Sequence, residues 1–354
     1  MGPDDPGSGM SYRDAGVDID AKLTAIDRVK ERARSTLGSQ AGPIGHFGGT
    51  YLVPSGPDQI LVASADGVGT KLRLAFVLGG EAHAGVGRDI VNHCVNDILA
   101  LGAKPLFFLD YFATGKLDPD VVAAVVGGVA DACLDNSLAL LGGETAEMPD
   151  SYPPGEYDLA GFVVGTVLPD RIVDGSRIRR GDVVIGFPST GLHTNGYSLA
   201  RKIIGLTGEA SPDGSILATA LADGTSLGDA LMAGHRTYRP EVQPLLDAGI
   251  VRGMAHITGG GLKDNLPRTL PPEAIARLDP AAWVTPPIFE YLVERGRVSL
   301  DERYRAFNMG IGFVVVVREA DRDTVLDRLP EARQIGEIVD RVTSDESAVQ
   351  GLSC

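Results

Sequence analysis

GVGRDIVNHCVNDILAL, residues 85–101, followed within a few positions by PLFFLDYF, residues 105–112, sets a helical repeat directly before an apolar run. In the first stretch Val91, Cys94, Val95 and Ile98 fall on one side of a helix, because successive residues turn by about 100°. The second is short, apolar and aromatic, and reads as a strand. A helix that feeds a strand points to a mixed class, and the flanks agree. Gln59–Ala65 reads as a strand, Asp120–Leu134 as a helix, and Leu138–Leu141 and Tyr157–Leu168 as further strands. Upstream, Leu23, Ile26, Val29 and Ala33 predict a helix over Asp20–Leu37, and a glycine-rich loop, Gly42–Gly49, follows it.

Pro169–Asp182, rich in Asp, Arg and Gly, reads as a domain boundary. Beyond it come a strand at Val183–Phe187, a loop at Pro188–Gly196 and a helix at Tyr197–Ile204. Later come Ala255–Ile257 with its Thr-Gly-Gly-Gly loop and the β-branched run Phe313–Val317. The expected fold class is therefore α+β (mixed α/β). It has a tail over residues 1–10 and two domains, 11–170 and 171–354, each a mixed sheet packed with helices. No repeat is strong enough to indicate duplication.

A chain of 354 residues buries roughly three quarters of its unfolded surface and needs no staples. Its net charge of −15 argues against a nucleic-acid or anionic-membrane surface, since both attract basic patches. The three cysteines, Cys94, Cys133 and Cys354, show no paired spacing, which fits a reducing cytoplasm. The first ten residues lack the basic and apolar regions of a signal peptide, and no run is long enough to span a membrane. Met10-Ser11 is an alternative start.

Chemistry concentrates at strand ends. The strand ILVASA, residues 60–65, delivers Asp66, then Gly67, Gly69, Thr70 and Lys71. Glycines let the backbone approach a phosphate, and a lysine supplies a point charge for its oxygens. Taken alone, the stretch reads equally well as a solvated turn. On the helix, Asp89, Asn92, His93, Asn96 and Asp97 fall within an arc of about 140°. A solvated face normally carries Lys and Glu, so these short, poor helix formers favour a site-facing stripe. His93 by itself reads better as a structural histidine than as a ligand. LGGETAEMPD, residues 141–150, places Glu144, Glu147 and Asp150 where a buried strand leaves the core.

Asp66, Asp97 and Glu144, with Asp110 at the end of its own apolar run, are expected to converge. Two carboxylates ~4 Å apart repel by about 4 kcal/mol at an effective dielectric near 20. A divalent cation removes that cost, and oxygen ligands select Mg²⁺ or Mn²⁺. The six histidines show no zinc spacing. Neither a P-loop nor a dinucleotide fingerprint is present. Three other loops are candidates for cradling phosphates: Gly45, Phe47, Gly48 and Gly49; the Ser189–Gly196 loop with Asn195; and Thr258, Gly259 and Gly260 before an expected helix. Each alone reads as a connecting loop. Together, beside an acidic cluster, they indicate magnesium with a nucleotide.

Longer motifs add a resemblance. SYRDAGVDIDA (11–21), DGVGTKLRLA (66–75), CVND (94–97), PLFFLDYFATGKLD (105–118), GGETAEMP (142–149), HTNGYSL (193–199) and TGGG (258–261) resemble the aminoimidazole ribonucleotide synthetase family, the phosphoribosylformylglycinamidine cyclo-ligases, from Ser11 to about Val342. The resemblance implies ring closure of formylglycinamidine ribonucleotide in purine biosynthesis. ATP phosphorylates the formamide oxygen, a nitrogen attacks the activated carbon, and ADP and phosphate leave. Carried over by motif, Asp66, Asp97 and Glu144 hold Mg²⁺, Lys71 and the Gly45–Gly49 loop cover ATP, and Lys30 and His193 serve proton transfer or phosphate contact. A homodimer is implied as well, with its sites near a shared β-barrel interface. His46 marks a departure within the first loop. A selenophosphate synthetase needs a reactive cysteine in residues 42–49, and none is there. A thiamine-phosphate kinase lacks the Phe107–Asp118 motif. A non-catalytic ATP/Mg-binding sensor keeps the acidic cluster without turnover.

Overall fold

The computed structural model describes residues 10, 11, 13, 14, 47, 49–53, 59–207 and 214–352. The expected helix over Asp20–Leu37, with Lys30, lies outside them, as do Gly45, His46 and Gly48.

The first sheet contains β1 (Gly49–Leu52), β2 (Ile60–Gly67), β3 (Lys104–Thr114), β4 (Ala139–Glu147) and β5 (Tyr157–Val167), in the order β1-β2-β5-β3-β4. Only β3 and β4 run parallel. A parallel pair needs a crossover, and α3 (Pro119–Asp135) supplies it. Asp118 opens that helix by accepting from the N–H groups of Asp120 and Val121, and Pro119 occupies its first turn. Among the described residues of this half, α1 (Leu72–Leu78) and α2 (Glu81–Leu99) precede it. One face of the sheet, with Val62, Phe108, Phe112, Leu159 and Val163, packs against Ile90, Cys94, Val125 and Val129 of α2 and α3. The opposite face is open, exposing Leu109 and Phe162.

Sequence pattern and structure part at β4. The strand does not stop at Leu141 but runs through Gly142 and Gly143 to Glu147. Gly143 is a packing requirement and not a stop signal. A Cβ there would lie 2.1 Å from Oδ1 of Asp110, its neighbour on β3.

The second sheet combines β6 (Val183–Pro188), β7 (Val251–His256), β8 (Ala274–Leu278), β9 (Ile311–Val317), β10 (Arg333–Asp340) and β11 (Val349–Gln350), in the order β11-β8-β10-β6-β9-β7. Val314 and Val316 enter one core while Phe313, Val315 and Val317 enter another, so β9 is covered on both faces. That double burial explains its unbroken apolar sequence. Further elements are α4 (Tyr197–Ile204), as expected, and the short α5 (Gly261–Asn265).

The halves are joined along α2. The strap over residues 233–238 belongs to neither sheet, and buried backbone groups need partners. The polar stripe of α2 provides them. Oδ1 of Asp89 accepts from the His235 N–H at 2.7 Å, and Asn92 donates to the His235 carbonyl at 2.7 Å. Asn96 donates to the Arg236 carbonyl at 2.8 Å and accepts from the Tyr238 N–H at 3.0 Å. Much of the stripe therefore faces the other half of the chain, and only His93 and Asp97 reach the site itself.

Candidate active site

Asp66 is the penultimate residue of β2, and His93 and Asp97 lie one turn apart on α2. Nε2 of His93 is 2.9 Å from Oδ2 of Asp66 and 3.7 Å from Oδ2 of Asp97. Ser64 donates to Oδ2 of Asp97 at 2.8 Å, and His256, at the end of β7, meets Oδ1 at 2.8 Å. The expected convergence of Asp66 with Asp97 is thus present. The cluster is mixed, two carboxylates with Nε2 of His93 against both, and the carboxylates are the hard donors that suit a divalent cation such as Mg²⁺.

Glu144 stands elsewhere. Gly67, Ala160, Tyr111 and Glu144 form one row across β2, β5, β3 and β4. Three strand spacings separate its ends, about 14 Å. Side chains alternate across a strand, so Glu144 also projects from the open face, whereas Asp66 turns toward α2. One ion does not reach both.

Imidazoles hidden in the sequence complete the site. Nδ1 of His93 meets Oγ1 of Thr194 at 2.7 Å, and Thr194 meets Nδ1 of His235 at 3.3 Å. Nε2 of His235 then meets Nε2 of His256 at 3.1 Å. Carboxylates at both ends dictate how protons sit along this chain. His256 donates through Nδ1 to Asp97, so its Nε2 accepts from His235. His235 therefore accepts from Thr194, Thr194 accepts from Nδ1 of His93, and Nε2 of His93 faces the Asp66 and Asp97 carboxylates as an ion-pair contact, which needs a proton there as well. His93 is then a cation: burial opposes its charge, but Asp66 and Asp97 lift it to about 9. The opposite direction would put the charge on His256, which burial holds below the ordinary value despite Asp97. Burial likewise pushes His235 well down. Among the described residues, His93, His235 and His256 also bring ligand nitrogens within 4.8 Å of one another. Sequence spacing gave no sign of this group, because its members come from α2, the strap and β7.

His193 lies beside this chain. Its ring stacks on His235 with centroids 4.2 Å apart and planes 22° apart. Gly312 makes room for it, since a Cβ there would fall 2.5 Å from Cε1 of His193.

Lys71 departs from expectation. It is fully buried, with Nζ 2.6 Å from Oδ2 of Asp89 and donating to the Ala233 carbonyl at 2.8 Å. It acts as an internal clasp between the halves. Gly67 donates its N–H to Oδ1 of Asp66 at 2.7 Å. Gly69 begins the turn before α1 with φ 69°, and the Thr70 hydroxyl lies 3.0 Å from that of Ser198.

Two of the expected glycine loops adjoin each other, a Cβ on Gly259 falling 3.1 Å from Oδ1 of Asn195. Thr258 and Asn265 tie the second loop together, and Gly260 caps α5 in a left-handed conformation. Asn195 also donates to Thr194 at 3.4 Å. Phe47 packs against the second half, with the guanidinium of Arg268 5.0 Å from its ring centroid. Gly49 begins β1, opposite Ala63. His235, His256 and Arg268 carry no role in the sequence reading, and Thr194 enters it only as part of the Ser189–Gly196 loop. HRTY at residues 235–238 and AHITGGG at residues 255–261 held the only local signal, a histidine beside polar or glycine positions.

Residues 49–167 match the model of the AIR synthase related protein, N-terminal domain, and residues 179–346 match its C-terminal domain. The chain is 52% identical over 326 residues to the phosphoribosylformylglycinamidine cyclo-ligases of Burkholderia multivorans and Burkholderia mallei, covering 92% of this chain and 90% of each relative. Among solved structures it is similar to a thiamine-monophosphate kinase from Stenotrophomonas maltophilia (TM-score 0.58, 21% identity, 93% of this chain and 96% of that one). It is also similar to a hydrogenase maturation protein in complex with ATP (TM-score 0.58, 20% identity, 94% and 91%). At those identities the two structures speak for the fold alone.

Proposed function

The chain belongs to the AIR synthase related family, and from that premise we propose that it closes the imidazole ring of formylglycinamidine ribonucleotide with ATP, releasing ADP and phosphate in purine biosynthesis. The observation that carries this reading is 52% identity across both domains to relatives bearing the cyclo-ligase name. An amide oxygen is a poor leaving group until it carries phosphate, so the protein's work is to position two ligands and neutralise charge. The seam between the halves, where Asp66, Asp97 and His93 lie within reach of one another, suits that work.

Asp66 and Asp97 would hold Mg²⁺, which neutralises phosphate charge when bound. Ser64 and His256 keep the Asp97 carboxylate oriented. His193 contacts the reacting atoms, with Lys30 as a second basic group. The turn at Gly67, Gly69 and Thr70 and the loops at Phe47, Asn195 and Thr258–Gly260 line the ATP side. Glu144, on the open face, would serve a separate point of the bound ligands.

ADP release by the purified protein with Mg²⁺-ATP tests the function. It should depend on formylglycinamidine ribonucleotide and fall at least about a hundredfold in Asp66→Asn. Folded protein that binds ATP without turnover would instead be a sensor.

We also propose a cytoplasmic homodimer. Leu109, Leu141 and Phe162 are 38%, 64% and 44% exposed on β3, β4 and β5, and a second copy covering the open face would bury them. Cys94 and Cys133 are free thiols, and among the described residues no helix is long and apolar enough to cross a membrane. Sedimentation velocity should give twice the monomer mass, and Phe162→Arg should shift the protein toward monomer. A monomeric wild type would remove the dimer.

A further inference from the structure

His193 carries an unexplained feature. The ring is 1% exposed, and among the described residues its Nδ1 has no hydrogen-bond partner. Nε2 is occupied, accepting from the Thr190 N–H at 3.3 Å. A backbone N–H only donates, so the lone pair is on Nε2 and the proton of the neutral ring is on Nδ1. An unmet buried donor is destabilising, and the surroundings hold it in place all the same. The His235 ring covers one face, Gly312 admits the edge, and the backbone sits at φ 63°. The stacked His235 is itself fixed through Thr194 and His256.

We propose, on the reading that His193 belongs to the cyclo-ligase site, that it works as a neutral hydrogen-bond donor through Nδ1–H, aimed at a ligand oxygen that gains negative charge during the reaction. Thr190 and His235 are its positioning residues. A general base needs a free lone pair. Nδ1 has none, and the lone pair on Nε2 is engaged by the backbone. Burial holds the ring well below its ordinary pKa, with the Lys71 ammonium nearby, so it stays uncharged at neutral pH. A fixed donor in a dry site stabilises developing negative charge without reorganising.

Asparagine separates the two roles. Its amide nitrogen is bonded to Cγ, as Nδ1 is, and it donates a hydrogen bond but takes no proton at neutral pH. It also tolerates left-handed backbone. His193→Ala should lose about 10²–10³-fold in kcat/KM, while His193→Asn recovers to within roughly tenfold of wild type. The ligand whose KM rises in His193→Ala identifies the acceptor: ATP for a phosphoryl oxygen, formylglycinamidine ribonucleotide for the formamide oxygen.

Equal losses in folded Asn and Ala variants would overturn the donor role and return His193 to acid–base chemistry. An Ala variant within threefold of wild type would remove it from catalysis. Should either variant fail to fold, ¹⁵N spectra of wild-type imidazoles decide. A neutral ring protonated on Nδ1 from pH 6 to 9 supports the assignment, and an Nε2–H tautomer or a cation overturns it. The tautomer is read without turnover, so wild type lacking substrate-dependent ADP release would count against the cyclo-ligase reading separately.

Discussion

Asp97→Asn should lose about 10³-fold or more in substrate-dependent ADP release while the protein stays folded. Removing an outer partner of a metal ligand typically costs 10–100-fold, so losing a ligand's charge should exceed that range. The substitution keeps one oxygen to accept from His256. Ser64, a hydroxyl, can rotate to accept from the new amide in place of donating to Oδ2. The hydrogen bonds therefore survive, but the charge that pairs with Asp66 around the proposed cation does not. Titrating activity against Mg²⁺ checks the cause, because the variant should need far more of it. Activity within threefold of wild type at ordinary Mg²⁺ would take Asp97 out of the metal site.

Lys71→Met should cost about 3–5 kcal/mol of unfolding free energy, the usual penalty for leaving one member of a buried ion pair uncompensated. Asp89 is 1% exposed, and burial already raises its carboxyl above the ordinary value with Lys71 opposing. The Ala233 carbonyl loses its donor as well. The double variant Lys71→Met/Asp89→Asn should regain part of the loss, since asparagine removes the uncompensated charge while its Oδ1 still accepts from the His235 N–H. Chemical denaturation of the single and double variants measures both. If Lys71→Met left stability unchanged but raised the KM for ATP, the lysine would be facing phosphate, as the DGVGTK motif leads one to expect.

What the sequence discloses depends on how local the cause is. The helix at Tyr197–Ile204 and the strand at Tyr157–Val167 follow from short-range periodicity, and both stand where the pattern puts them. Membership in the cyclo-ligase lineage was legible too, in long motifs such as PLFFLDYFATGKLD. The end of β4 was not, because Gly143 answers to Asp110 on a neighbouring strand. The polar stripe of α2 was seen as unusual, but its main partners are the backbone of residues 235–238, about 140 positions away. Charge alone grouped Glu144 with Asp66, whereas sheet register sends them to opposite faces. His235 and His256 escaped because each is ordinary in its own neighbourhood and acquires a role only when α2, β7 and the strap meet.

The strap has one more consequence. Asp97 comes from the first half of the chain, yet the histidine that orients it comes from the second. Lys71 is sealed by a carbonyl from the second half, while that segment relies on α2 for its own hydrogen bonds. Neither half is a portable module: cut apart, each would expose polar groups that only the other can satisfy. Two domain-sized pieces with separate cores are thus bound to a common history, and shuffling one against a distant relative would break the seam before it touched the chemistry.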